Sequence, residues 1–408
     1  MSGKIEWVVL RVPKSKGDDT APIAAGPKAG PLAGMRAAPR GPGRGLNAET
    51  LANAKTEVDE LTIEKARKIA TDPTVAVAVP KMPFVLVKPM GKKVVSKAKA
   101  GTIAWGVEDV GATTSPFDGR GITVAVLDTG IDKTHLAFAG VNLMLRNFTA
   151  ESAEDTNGHG THCAGTIFGR DVDGTRIGVA RGVDRALIGK VLGEGGGSSE
   201  QIFNAILWAK SEGAHVISMS LGMDFVGYCE YLIGQGYKRP KAISIALSGY
   251  QQNTRVFDQL SDALVPTDDG IVGGSVLVAA AGNESSRPDY TVVVAPPASG
   301  QRFLSVAALE KKGAVYGIAS FSNEQPAIAA PGVSVISAKL GGGLVAFNGT
   351  SMAAPHVAGV AALWAQNLKD QGGSVSARRI IGDILEHAKV VPPLTRLEVG
   401  EGRVQAPQ

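Results

Sequence analysis

The run GITVAVLDTGID, residues 121–132, sets an almost unbroken apolar strand against a sharp polar turn. Between Ile122 and Leu127 only Thr123 is polar. A strand with one face in water alternates apolar and polar side chains, so this one needs cover on both faces. The pattern recurs in ALIGKVL (186–192), HVISMS (215–220), SVLVAAAG (275–282) and FLSVAAL (303–309), and a helical stretch near Ser199 to Ser211 falls between two of these runs. Buried strands alternating with helices predict a doubly wound, mainly parallel α/β sheet with right-handed crossovers and helices on both faces. In such sheets functional residues collect beyond the carboxyl ends of the strands. Asp128 ends its run, Gly222 follows HVISMSL, and Asn283 follows SVLVAAAG. A lone Asp at a strand end is ordinarily a turn or cap residue and gains chemical meaning only through company.

That company is NGHGTHCAGT, Asn157 to Thr166, and NGTSMAAPHVAGVAAL, Asn348 to Leu363. In the second, a turn of small residues delivers Ser351 to the start of a helix, and Pro355 is tolerable because it falls within the first turn. A hydroxyl there lies beside free backbone donors that suit a developing oxyanion. It remains a weak nucleophile until a histidine base, oriented by a buried carboxylate, takes its proton. His159, His162 and Cys163 can also be read as a metal cluster through the His-x-x-His spacing, but no second clustered set of ligands accompanies them.

Taken in order, DTGID, HGTHCAGT, SLG, AAAGN and GTSMAAPHVAG resemble the motifs of the subtilisin family over about Trp105 to Ala406. The order Asp, His, Ser is the one for which subtilisin is known. The resemblance implies a serine endopeptidase in which Asp128 orients the imidazolium, His159 shuttles the proton, Ser351 attacks the carbonyl and Asn283 donates to the oxyanion. It assigns the base to His159, leaving His162 and His356 as packed helix residues. It also implies a substrate held as an added strand between Gly195, Gly196 and Gly197 on one side and Ser220, Leu221 and Gly222 on the other. Ala281, Gly282 and Ala295 belong to the expected substrate site, with Ala295-Pro296-Pro297 aligned to the floor of the primary pocket. Small or apolar residues there suggest a hydrophobic or broad preference, although Glu284 near the rim could favour a basic side chain.

The chain departs from the family in three places. Residues 223–274 form an insertion beside the cleft, carrying Phe225, Tyr228, Tyr231 and Tyr237, and read as a surface elaboration or an exosite. Family members often bind calcium through acidic residues where this chain has Ala137 and Ala327, and DVDG (171–174) is a weak calcium pattern, so the expectation is no cofactor beyond a weak possibility of structural calcium. The third departure is the front, residues 1–100. There KIEWVVLRV (4–12) reads as a strand, Asn47 to Ala70 as helical, and DPTVAVAVP and PFVLVKP as extended. The Gly/Pro/Ala-rich stretch of about 13–46 reads as disordered, and a Lys-rich connector leads to Gly101. The front is similar to the end of a subtilisin-type propeptide, which blocks the cleft, so the chain's own N-terminal segment is expected as an intramolecular inhibitor of a catalytic domain spanning 101–408, with a dispensable tail or a partner-docking module as the alternatives.

Composition narrows the classes further. Residues 1–100 hold 18 Lys/Arg against 9 Asp/Glu, within a chain of net charge +4. No aromatic interleaving accompanies that basic front, so a solvated linker is preferred to a nucleic-acid surface. Only Cys163 and Cys229 are present, which excludes a disulfide framework and suits a reducing compartment. The apolar run Trp7 to Leu10 is too short for a secretory signal, and no run suits a membrane span, so a cytoplasmic location is the default and signal-less export the alternative. The expected partners are protein or peptide substrates, with no nucleic acid and no membrane. Two other functions stay open: a transpeptidase or macrocyclase on the same triad, and a self-blocked regulatory binding protein built on a protease fold.

Overall fold

A computed structural model describes residues 4–12, 54–91, 94–96, 101–266 and 273–408. The stretch of about 13–46 expected to be disordered therefore lies outside the described residues. The front folds into β1 (Ile5–Arg11), β2 (Lys55–Leu61), α1 (Ile63–Ile69), β3 (Val75–Pro80) and β4 (Pro83–Leu86), followed by β5 (Val94–Ser96). Here the expected helix of 47–70 is corrected. Lys55–Leu61 pairs antiparallel with β1 over its whole length, and the helix begins only after Thr62, whose side chain accepts from the Lys65 amide as an N-cap. Helical propensity lost to the ladder that β1 offers. Within the Lys-rich connector, Val94–Ser96 is a strand.

The larger unit opens with α2 (Trp105–Asp109), β6 (Thr123–Asp128) and β7 (Asn142–Asn147), and continues through α3 (His159–Phe168), β8 (Arg185–Lys190), β9 (Gly197–Ser198) and α4 (Ser199–Ser211). Next come β10 (Val216–Met219), β11 (Leu221–Met223), α5 (Phe225–Gly234), α6 (Arg239–Leu264) and β12 (Val276–Ala280). The chain then runs through β13 (Phe303–Lys312), β14 (Val315–Ile318), β15 (Ile328–Pro331), β16 (Val335–Ala338), β17 (Leu344–Phe347), α7 (Thr350–Asp370), α8 (Ala377–Glu386) and α9 (Arg396–Val399).

Eight strands form the main sheet in the order β14-β13-β12-β10-β6-β8-β7, with β15 beside β13. Every pair is parallel except β13 with β14. The apolar runs are continuous because each feeds two cores at once. Val124, Val126, Ile188, Val216, Val276 and Val278 point into one core against α3 and α7. Ala125, Leu127, Leu187, Ile217, Met219, Leu277 and Ala279 point into the other, against α4, α5 and α6. This is the α/β class expected from the sequence. Strand order reverses between β6 and β10, so their carboxyl ends, at Asp128 and Ser220, flank the crevice at the switch point.

The small sheet β2-β1-β3 joins the second core rather than standing apart. Val8, Leu10, Val77, Val79, Met82 and Phe84 share it with Phe203, Ala246 and Phe257. On the other face of that sheet Trp7, Leu61 and Ala66 pack together beneath α1. The insertion of 223–274 supplies α5 and α6. Asn253 on α6 is fully buried, and its Nδ2 donates to the Pro80 carbonyl at 2.8 Å. At Gly249 an added Cβ would lie 2.8 Å from Met82 Sδ and 3.4 Å from Pro80 Cβ, so the bare backbone lets the helix come close to the sheet. The insertion thus packs against the chain's own front. Among the described residues no helix is long and apolar enough to cross a membrane.

Candidate active site

The carboxylate of Asp128 is buried at the end of β6, and both its oxygens face His159 Nδ1, at 2.8 and 3.0 Å. This pairing sets the imidazole: Nδ1–H donates to Asp128, and Nε2 is left as the lone-pair nitrogen. Nε2 is sealed from solvent and has no hydrogen-bond partner among the described residues. Ser351 is the second residue of α7, after Gly349, whose φ of 157 is open to glycine. So early in the helix the Ser351 amide has no intrahelical carbonyl to serve. Asn283, just past β12, accepts at Oδ1 from Thr350 N and Thr350 Oγ1, both at 2.9 Å, and these two bonds fix its Nδ2 towards the cleft.

That cleft holds the chain's own strand β4. Leu221, Gly222 and Met223 pair antiparallel with Leu86, Val85 and Phe84, while Gly197 and Ser198 pair with Phe84 and Pro83 on the opposite edge. The two glycine-bearing edges named from the sequence are therefore the two edges of a three-stranded sheet, order β11-β4-β9. Gly196, at φ 87, leaves room for the Phe84 carbonyl, which an added Cβ would meet at 2.5 Å. Gly195 has open space beside it and pairs with nothing on β4. The Val87 amide reaches the Ser220 carbonyl at 3.4 Å, and its Cγ2 lies 3.7 Å from where a Gly222 Cβ would stand. Phe84 and Val87 are buried, Val85 is exposed and Leu86 is half-buried.

At the end of that strand Ser351 Oγ donates to the Val87 carbonyl at 2.8 Å, and Asn283 Nδ2 donates to the Lys88 carbonyl at 2.8 Å. The hydroxyl is thus turned to the peptide rather than to His159, and the Asn283 donor holds the carbonyl one residue further on. Beyond it the Met90 amide donates to the Asn348 carbonyl at 2.7 Å, and β5 pairs with β17. Chain therefore enters the site as a bound strand and is held again beyond it, at Met90 and at β5.

The other expected residues fall as follows. Ala281 and Gly282 precede Asn283, with Gly282 N donating to Thr350 Oγ1 at 3.1 Å. Ala295 is half-buried, and the next carbonyl, of Pro296, accepts from Met223 N at 3.0 Å, tying this wall to β11. Glu284 is bonded to Asn323 Nδ2 at 2.7 Å. His162 faces away: it stacks on Phe347 and bonds the Val335 carbonyl through Nε2, and burial, with His159 nearby, pushes it down to about 3. His356 bonds the Met352 carbonyl. Among the described residues the cluster close enough to share one ion is Asp128, His159 and Cys163, not the His-x-x-His pair. Burial raises the Cys163 thiol well above its ordinary value, with the Asp128 charge adding to it. The DVDG run makes a turn closed by Val172 and Thr175, with Asp171 paired to Arg181.

Asp155 is a residue the sequence reading passed over. Its Oδ1 accepts from Thr129 Oγ1, Asn157 N and Gly158 N, and its Oδ2 from Thr161 N and Thr161 Oγ1, at 2.6 to 3.1 Å. One buried carboxylate thereby ties the turn after Asp128 to the first turn of the His159 helix. The signal was local: an Asp three residues before the glycine that opens a helix supplies the amide acceptor that glycine lacks.

A buried serine and a carboxylate-paired histidine beside a switch point, with an extended peptide laid between two strand edges, are the kinds of group found in a serine-hydrolase type of site on a doubly wound sheet. The model of the Subtilase family matches residues 119–400. The chain belongs to that family. Similar curated proteins include several named Subtilisin-like protease 6: that of Trichophyton verrucosum is 33% identical over 292 residues, covering 66% of this chain and 60% of the relative. Those of Trichophyton equinum and Trichophyton tonsurans are each 32% identical with the same coverage. The chain thus spans about 60% of the length of the curated relatives it matches.

Proposed function

We propose that this protein is a serine endopeptidase that cleaves peptide bonds through an acyl-enzyme on Ser351 and is held in check by its own front. The observation that carries this reading is strand β4, which lies in the cleft as a substrate would and delivers the Val87 carbonyl to Ser351 Oγ at 2.8 Å. In the reaction His159 Nε2 takes the Ser351 proton as Oγ attacks the carbonyl carbon, while Asp128 stabilises the imidazolium through Nδ1. The oxyanion gains Asn283 Nδ2 and the Ser351 amide as donors. The imidazolium then protonates the departing amine, and water, activated by the same nitrogen, releases the acyl group.

Pairing places Val87 at the primary pocket and Phe84 at the deep apolar site three residues before it, so the preference is for apolar side chains at both. Glu284, exposed, accepts from Asn323 Nδ2. In the intact chain Asn283 holds the Lys88 carbonyl rather than that of Val87, so the strand must shift before the oxyanion can form, and cutting is slow. Covalent linkage raises the local concentration of β4 to roughly millimolar or above, which blocks the cleft even for a weakly bound strand.

The test follows full-length protein and Ser351→Ala by intact mass, with a fluorophosphonate probe and an apolar chromogenic peptide. Expected are a lag before activity, probe labelling at Ser351 and an uncut, inactive variant. Undiminished peptide turnover in Ser351→Ala overturns the mechanism. Full-length protein that is active at once with its front attached overturns the restraint.

A further inference from the structure

We infer that the site also works in the opposite direction, as a peptide ligase on its own junction: once the Val87–Lys88 bond is cut, the Lys88 amine reseals it. The inference rests on the reading that Ser351 attacks this bond. Its evidence is what lies on either side. Hydrolysis is normally carried forward because the two products separate, and here neither does. The acyl side is held by β4, paired on both edges, with Met82 and Phe84 fully buried in the core. On the amine side the chain is part of the catalytic body. It is also pinned close to the reacting bond, first by Met90 N on the Asn348 carbonyl at 2.7 Å and then by β5 on β17, where Val94, Val95 and Ser96 face Ala346, Val345 and Leu344.

A tethered and oriented amine has an effective concentration far above that of a free one. Competing water is also handicapped, because Ser351 and His159 are fully buried and His159 Nε2 is sealed while β4 is in place. In the forward step Oγ bonds to the Val87 carbonyl carbon, the C–N bond to Lys88 breaks, and the serine proton passes through His159 to the Lys88 nitrogen. In the reverse step that nitrogen attacks the ester carbon, the ester C–O bond breaks, and a nitrogen proton returns through His159 to Oγ. From the hydrolysed junction, carboxylate and ammonium condense through the same ester with loss of one water. No further reactant is required.

The experiment incubates full-length protein in ¹⁸O-enriched water and samples it by intact mass and by the mass of the peptide spanning Val87. Resealing of the hydrolysed junction places ¹⁸O in the Val87 carbonyl of uncut chain, and this label is the expected result. Chain cut at Val87–Lys88 that carries ¹⁸O only in the free carboxylate upholds self-cleavage and overturns resealing. A parallel sample with hydroxylamine traps any Val87 acyl group as the hydroxamate, so uncut chain with neither label nor trap overturns both readings. Val94→Pro with Val95→Pro removes one strand donor to β17 whichever of the two supplies it, since adjacent residues alternate in direction. This variant should show at least a tenfold drop in label within uncut chain and should accumulate the cut form. Label unchanged in the variant overturns the role given to β5.

Discussion

Residue by residue, the candidate site depends on groups that hold other groups. Asp155 touches neither Ser351 nor the peptide, yet it accepts from both segments that carry Asp128 and His159. Asp155→Ala should lower kcat about 10- to 100-fold with KM little changed, because a small displacement of an oriented base is costly. Asp155→Asn, which keeps some of the acceptors, should recover part of that loss. An unaltered kcat in the alanine variant removes the positioning role. Cys163 makes the contrasting case. Its Sγ lies 3.7 Å from His159 Nδ1 and 3.4 Å from the Ser351 carbonyl, buried and with its thiol pushed to higher pKa. It should resist iodoacetamide at neutral pH, because the thiolate is the reacting form. Alkylation of Cys163 in folded protein, seen by peptide mass, would contradict this.

Among the elements, α6 is one of those that pack against the front. Asn253→Ala removes the donor to the buried Pro80 carbonyl, and leaving a buried acceptor unpaired costs about 1–3 kcal/mol. The separated front should therefore inhibit the variant about 5- to 150-fold less tightly in trans, while peptide turnover by the freed enzyme stays unchanged. Equal inhibition of parent and variant counts against docking on α6. The sequence displayed this insertion as extra length with aromatics. It could not display the partner, since Asn253 and Pro80 stand 173 residues apart and only folding brings them together. The β2 strand was hidden for a related reason: KTEVDEL has helix-compatible composition, and its state was settled by the edge of β1.

For the whole molecule, the buried histidines link stability to pH. Burial holds His162 at about 3 and His356 at about 4, against 6.5 for the free side chain. The unfolded chain therefore binds these protons more readily. The stability that each neutral imidazole contributes is complete above about pH 6.5 and is lost as pH falls towards the folded values, by up to ~1.4 kcal/mol per pH unit for each. In Ser351→Ala, which the proposed mechanism leaves unable to digest itself, the urea midpoint should fall from pH 7 to pH 5. A flat or rising midpoint would contradict this. Because Asp171 is paired with Arg181 and Ala137 and Ala327 offer no carboxylate, we propose only modest dependence on calcium. Chelator should shift the melting temperature by no more than the roughly 2–4 °C that 1 kcal/mol produces in a domain of this size.

What the sequence determined by itself was whatever local pattern encodes. Apolar runs without alternation specify strands buried on both faces, and helices between them specify a parallel doubly wound sheet. That sheet in turn places Asp128, Gly222 and Asn283 at strand ends, and the small-residue turn places Ser351 at a helix start. Tertiary structure decided which distant segments meet. It laid Pro83 to Leu86 between Gly197 and Gly222, turned Ser351 to Val87 and Asn283 to Lys88, and drew Lys-rich chain into strand β5. Hydrophobic periodicity speaks of burial but not of partners. A strand's backbone donors are indifferent to sequence, so the edge that takes them up is chosen only when the whole core closes.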